Sequence, residues 1–185
     1  MTRVAVAALA IATVAGLLYA LNRIDDVAVV ADSTDDRLPR YTLSGAVLVR
    51  YDTSGQPAMR ATATSLEYFD DESAVASSLK LDVLSGTRTP WHIEAPTGRL
   101  PPGSKVLALS GNVQADGQWP DNGEAVTLRT PTLKVDPDLH LLSSDALVTA
   151  ESRSRQGSGI GLAANWLKQD LHLLNNVKMR YEVTR

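Results

Sequence analysis

The sequence predicts an all-β domain of antiparallel strands, preceded by one membrane-spanning helix. Three observations carry that reading. Apolar and polar residues alternate with period two over many short runs, turn-forming pairs recur at short intervals, and a charge-free apolar stretch lies near the start. Successive side chains of a strand point to opposite faces, so period two marks strands with one covered face. Many short strands with frequent turns fit a sandwich, roll or barrel.

At the N-terminus, Arg3 and Arg23 bracket 19 residues without a charge, "VAVAALAIATVAGLLYALN". As a helix, the apolar run 4–21 spans roughly 27 Å, close to the hydrocarbon thickness of a bilayer. Secretory apolar regions are shorter, about 7–15 residues. The small-residue pattern Val29-Val30-Ala31 lies beyond Asp25 and Asp26, poorly placed for cleavage. Residues 1–23 are therefore expected to be an uncleaved anchor, with Arg3 cytoplasmic and the acidic stretch after Arg23 translocated. Residues 24–40 mix acidic and small residues with a proline and read as a linker, in which 27–31 could pair as a short strand.

Residues 41–185 form the expected β domain. Leu79, Leu81 and Val83 interleave with Lys80 and Asp82, and Trp91, Ile93 and Ala95 with His92 and Glu94. Leu107, Leu109, Gly111, Val113 and Ala115 continue the pattern. At the end of the chain Val177, Met179, Tyr181 and Val183 share one face, opposite Lys178, Arg180, Glu182 and Thr184. Turns are expected at Ser54-Gly55, Pro101-Pro102-Gly103, Asp116-Gly117, Asn122-Gly123 and Asp136-Pro137-Asp138. Segments 61–81, 93–113, 128–148 and 161–179 share one plan: a strand, a polar turn, then a second strand ending in a small-polar corner before a third. Ser44-Gly45, Ser110-Gly111-Asn112 and Asn175-Asn176 mark such corners. A spacing of roughly 30–35 residues suits stacked repeats, each covering its neighbour's apolar face.

The string Asp-Leu-His-Leu-Leu occurs twice, in "DLHLLSSDALV" (138–148) and "DLHLLNNVKM" (170–179). A metal site needs three or four converging ligands, and no third partner accompanies His140 and His172; His92 lies in another unit. The phrase reads as construction, with the two histidines at equivalent positions of stacked units. Asp70-Asp71-Glu72 and Asp136-Pro137-Asp138 fall at turns, where acidic residues serve local hydrogen bonding, and nothing singles out an acid and base pair. "GSGIG" (157–161) is neither a dinucleotide nor a phosphate loop and reads as a hairpin or bulge. No cysteine is present, which excludes disulfides, thiolate chemistry and a lipidated cysteine. Setting aside Arg3 and Arg23, 16 basic residues face 21 acidic ones, a net charge of −5 that disfavours a nucleic-acid partner. No catalytic, metal or cofactor constellation emerges. Hydrophobic residues make up 44% of the chain and aromatics 5%, so the apolar content is mostly Ala, Val and Leu.

The order and spacing of "LSGAVLVRYDTSGQPAMRATATSLEYFDDESAV", "WHIEAPTGRL", "LSGNV", "LRTPTLKVDP", "SSDALV", "GSGIGLAANW" and "LLNNVKMRYEV" resemble the LptC family over essentially the whole chain. The resemblance implies an open, twisted β-jellyroll like that of LptA, held in the periplasm by a single-pass inner-membrane helix. It implies no enzymatic activity and no cofactor. The expected role is a conduit that receives lipopolysaccharide from the ABC transporter, LptF and LptG with LptB, and hands it to LptA. By the family pattern Ala46, Ser77, Leu171 and Tyr181 meet the acyl chains of lipid A. Leu48 shares the face of Ala46, Leu79 that of Ser77, and Met179 that of Tyr181. Ala46 and Ser77 are smaller than the family's usual residues, and "GQWPDNGEAV" (117–126) departs from its loop. Gly55 matches a glycine that serves backbone conformation or the transporter-side joint. Val177, Lys178, Arg180, Glu182 and Val183 belong to the edge strand expected to receive LptA. The rival readings are a soluble shuttle, a docking adaptor that carries no lipid, and a carbohydrate-active β-repeat enzyme.

Overall fold

The computed structural model describes residues 38–86 and 89–181. They form nine strands: β1 (Tyr41–Tyr51), β2 (Pro57–Tyr68), β3 (Ala74–Val83), β4 (Trp91–Leu100), β5 (Leu107–Gln118), β6 (Ala125–Asp136), β7 (Leu141–Ser152), β8 (Arg155–Asn165) and β9 (Asp170–Tyr181). Each strand pairs antiparallel with its sequence neighbours in one sheet of order β1 to β9, so β1 and β9 are its two edges. The all-β antiparallel expectation holds. Among the described residues no helix is long and apolar enough to cross a membrane. The expected anchor (1–23), most of the linker, Glu182 and Val183 lie outside the described residues.

A lone sheet leaves both faces in water, yet Val83 and Val148 are fully buried here and Ile93, Val113, Val135, Leu142 and Leu162 nearly so. The sheet must therefore double over on itself, and the bend is written into the strands as a change of phase. Two residues, not one, separate successive inward positions at Ala76 and Leu79 on β3, Ala95 and Gly98 on β4, and Thr130 and Leu133 on β6. These corners line up across the ladder, where Ser44 pairs with Ser65, Ser65 with Ser77, Ser77 with Thr97, Thr97 with Ser110 and Ser110 with Thr132.

Left-handed backbone marks the same line at Gly45, Ser78, Gly111, Asn112, Gly161 and Asn176. Pro96 and Pro131 stand there too, close to register shifts in their ladders, where a missing N–H is tolerated. Hydroxyls and amides satisfy backbone groups that the bend frees. Thr64 Oγ1 donates to the Ser77 carbonyl (3.0 Å), Thr130 Oγ1 to that of Thr132 (3.1 Å), and the Ala146 N–H to Ser144 Oγ (3.2 Å). That is why the corners are small and polar. They lie inside strands, not between them, so the second and third strands expected in each unit are one bent strand. Each repeated segment is a hairpin: β2–β3, β4–β5, β6–β7 or β8–β9.

Two further expectations change. Asp116-Gly117 is not a turn but lies within β5. A Cβ on Gly117 would stand 2.2 Å from Trp91 Cδ2, so the glycine seats the indole of the neighbouring strand. The repeated Asp-Leu-His-Leu-Leu is not a structural equivalence either. Asp136 Oδ1 accepts from the Leu139 N–H, and Asn165 Oδ1 likewise from that of Lys168. Positive φ closes the two turns at His140 (56°) and Gln169 (55°). Asp136 therefore corresponds to Asn165 and His140 to Gln169, so the repeated phrase is out of step with the architecture. His140 packs edge-on to Trp166 at 5.5 Å, whereas His172 is exposed on β9 opposite Ala163.

Candidate functional site

At the β1 end the doubled sheet stays open, leaving an apolar cleft of about 250 Å³. Ala46 and Leu48 of β1, Ala61 and Ala63 of β2 and Leu79 of β3 wall it on one side of the line of corners; Leu66, Ala76, Leu100 and Leu107 wall it on the other. Among the described residues that border it, only Thr62 and Tyr68 carry hydroxyls, and Thr62, paired with Val47, turns its side chain to the other face. The preponderance of alanine keeps the slot wide. Gly98 has a matching role at its base, because a Cβ there would come within 2.7 Å of Leu79 Cδ2. Leu48 stays 70% exposed on this edge. The slot is concave and almost wholly apolar, the character of surfaces at which apolar ligands bind.

The cleft brings together three of the residues selected from sequence: Ala46, Leu48 and Leu79. Ser77 departs from expectation. It is exposed and does not share the face of buried Leu79, because the corner at Ser78 (φ 49°) changes the phase and puts Ala76 in the inward position. Leu171 lines a separate hollow of about 50 Å³ with Trp91, Trp119 and Trp166. Met179 lies at the opposite edge, its Sδ only 2.3 Å from where a Gly157 Cβ would sit. Val177 rests likewise over Gly159, so this face of β9, which carries Tyr181 as well, continues the interior of the sheet. "GSGIG" is thus the bare floor beneath β9. Lys178 and Arg180 take the alternate positions.

Gly55 sits in the β1–β2 turn at φ 79° with open space around it, so backbone conformation alone demands glycine there. Asp52 organises that turn, accepting from the Ser54 hydroxyl (2.7 Å) and from the N–H groups of Ser54 and Gln56. These bonds, the Ser54 hydroxyl foremost, lower its pKa.

Cleft residues that escaped sequence reasoning are Ala61, Ala63, Leu66, Ala76, Leu100 and Leu107. A readable signal exists: the inward positions of "ATATSLEY" (61–68) change parity at Thr64-Ser65. Strict period two assigns Leu66 to the wrong face.

Charge gathers at the rim. Arg50 is paired across the ladder with Met59, which packs on the core, so Arg50 projects from the inner face. Its Nη2 reaches Asp138 Oδ1 at 2.6 Å, and Lys105 Nζ meets Asp138 Oδ2 at 2.9 Å. Hydrogen bonds from Arg50 and then Lys105 hold the Asp138 carboxyl down at about 2. At the opposite end Arg155 pairs with Asp121 at 2.8 Å and lies 5.2 Å from the Trp119 ring centroid. Among the described residues no group of three or more His, Asp and Glu is placed to hold a metal.

The family model "Lipopolysaccharide-assembly, LptC-related" matches residues 8–182. The chain belongs to that family. The lipopolysaccharide export system protein LptC of Escherichia coli strain K12 is 24% identical over 162 residues, covering 86% of this chain and 82% of that protein. LptC of the O157:H7 strain gives the same figures. Among solved structures, LptH, the LptA-homologous periplasmic component of the lipopolysaccharide transport device of Pseudomonas aeruginosa, superimposes with a TM-score of 0.53 at 11% identity. That match covers 68% of this chain and 95% of LptH, and is a likeness of fold. This LptC-family chain thus carries an LptA-like jellyroll, the open architecture expected of it.

Proposed function

We propose that this LptC-family chain is a membrane-anchored periplasmic conduit that takes lipopolysaccharide from the inner-membrane transporter, LptF and LptG with LptB, and passes it to LptA. The observation that carries the reading is the apolar cleft at β1, one edge of the described sheet, whose inner face continues to the other edge at β9. Each acyl methylene removed from water contributes about 0.8 kcal/mol, so a chain in the slot is held strongly and release into water is slow. Transfer therefore favours a continuous apolar path between touching proteins. β1 and β9, the two edges of the described sheet, supply the joints, since an edge strand accepts another by backbone hydrogen bonding. β1 would face the transporter and β9 would face LptA.

A matched pair of substitutions on β1 tests the cleft. Leu48 faces into it, while its neighbour Val47 is similarly exposed (70% and 65%) at the alternate position. Leu48→Asp puts a charge in the acyl path and should weaken lipopolysaccharide binding by the full chain at least about tenfold. Val47→Asp should leave it within about twofold. Equal effects of the two substitutions would favour the docking adaptor instead.

A further inference from the structure

We propose that Arg50 and Lys105 form a phosphate-binding site at the rim of the cleft, with Asp138 as the resident that the incoming phosphate displaces. The inference rests on the lipid-carrying reading and extends it from the acyl chains to the head group. Position is the first argument. Arg50 leaves β1 on the inner face two residues beyond Leu48, and Lys105 stands two residues before Leu107; both leucines wall the cleft. An amphiphile with its chains in the slot keeps its head in water at the rim, within reach of these two cations.

Charge is the second argument. Two cations share one carboxylate, so the cluster retains a net positive charge. The third is the ease of exchange. The Arg50, Lys105 and Asp138 side chains are 47%, 77% and 40% exposed. Water screens such pairs, so giving up Asp138 costs little. A phosphate offers several acceptor oxygens and can take hydrogen bonds from the guanidinium and the ammonium together. Asp138 meanwhile keeps both cations extended across the rim, joining the end of β1 to the β6–β7 turn 88 residues away.

The phosphate could come from a lipid head group or from solution, and three probes separate these sources. The full chain is titrated with a diphosphorylated, acylated glucosamine disaccharide, with the same amphiphile after phosphate removal, and with inorganic phosphate. The site predicts that the phosphorylated amphiphile binds about tenfold more tightly than its dephosphorylated counterpart. Arg50→Ala with Lys105→Ala should abolish that preference and leave the dephosphorylated probe within about twofold. Asp138→Asn keeps the shape and removes the competitor, so it should tighten phosphorylated binding about threefold, a gain that misfolding cannot imitate. A preference that is absent, or that survives loss of both cations, overturns the site while leaving the acyl cleft standing. Binding of neither amphiphile overturns the lipid-carrying reading and the head-group site with it. Binding of inorganic phosphate alone, lost with both cations, supports the anion site and assigns it to free phosphate.

Discussion

The seating of Trp91 on Gly117 gives a prediction whose size follows from distance. A Cβ at position 117 would lie 2.2, 2.3 and 2.5 Å from three atoms of the Trp91 ring. Ordinary contact begins near 3.4 Å, so the indole must retreat by about 1 Å. Trp91 is 9% exposed and its neighbours are packed, but it borders a hollow of about 50 Å³ that can take up part of the movement. Overpacking of this kind costs about 1–3 kcal/mol, and the partial escape route places Gly117→Ala near 2 kcal/mol. That corresponds to a fall of about 4–8 °C in Tm for a domain of this size. Urea unfolding of the full chain, followed by far-UV circular dichroism, measures it. In a Trp91→Leu background the same alanine should cost under about 0.5 kcal/mol, because the ring it strikes is gone. A single Gly117→Ala variant as stable as wild type, or an equal loss in both backgrounds, would refute the steric argument.

Gly157→Ala provides the contrast: its nearest obstacle is the flexible, 37% exposed Met179, whose thioether can swing aside, so the same unfolding assay should show a loss below about 1 kcal/mol. Asp138 should titrate with a midpoint at about 2 when followed by carboxyl NMR, and Arg50→Ala should move that midpoint upward. Its folded-state pKa lies below the ordinary value of about 3.9, so whatever stability the rim cluster adds is present above that value and lost as pH falls toward the folded midpoint. An ordinary midpoint in the wild type would mean that the cluster does not form in solution.

Much of the fold was legible because strands announce themselves by period two. Leu79, Leu81 and Val83, and Trp91, Ile93 and Ala95, are buried as their alternation predicts. The corners were visible as Ser-Gly and Asn-Asn pairs, since a bent ladder needs left-handed backbone and local polar partners. Their consequence for phase was not visible. Alternation carried through Ser78 puts Ser77 on the wrong face, and carried through Thr64-Ser65 it hides Leu66 from the cleft. Gly117 misled for a related reason: glycine signals a turn and a close approach with the same letter, and only the neighbouring strand shows which applies. The repeated Asp-Leu-His-Leu-Leu misled because one string of residues served two different places, a turn before β7 and the body of β9. Closure of the rim by Arg50, Lys105 and Asp138 has no sequence period at all, since it joins segments far apart in the chain.

Site-specific photocrosslinking in cells at Tyr181, with Arg180 as its alternate-face neighbour, examines whether lipid travels the inner face as far as β9. The conduit predicts a lipopolysaccharide adduct at Tyr181 that is absent at Arg180 and depends on ATP hydrolysis by the transporter. Protein adducts alone at both positions would contradict it, making β9 a docking edge past which no lipid moves.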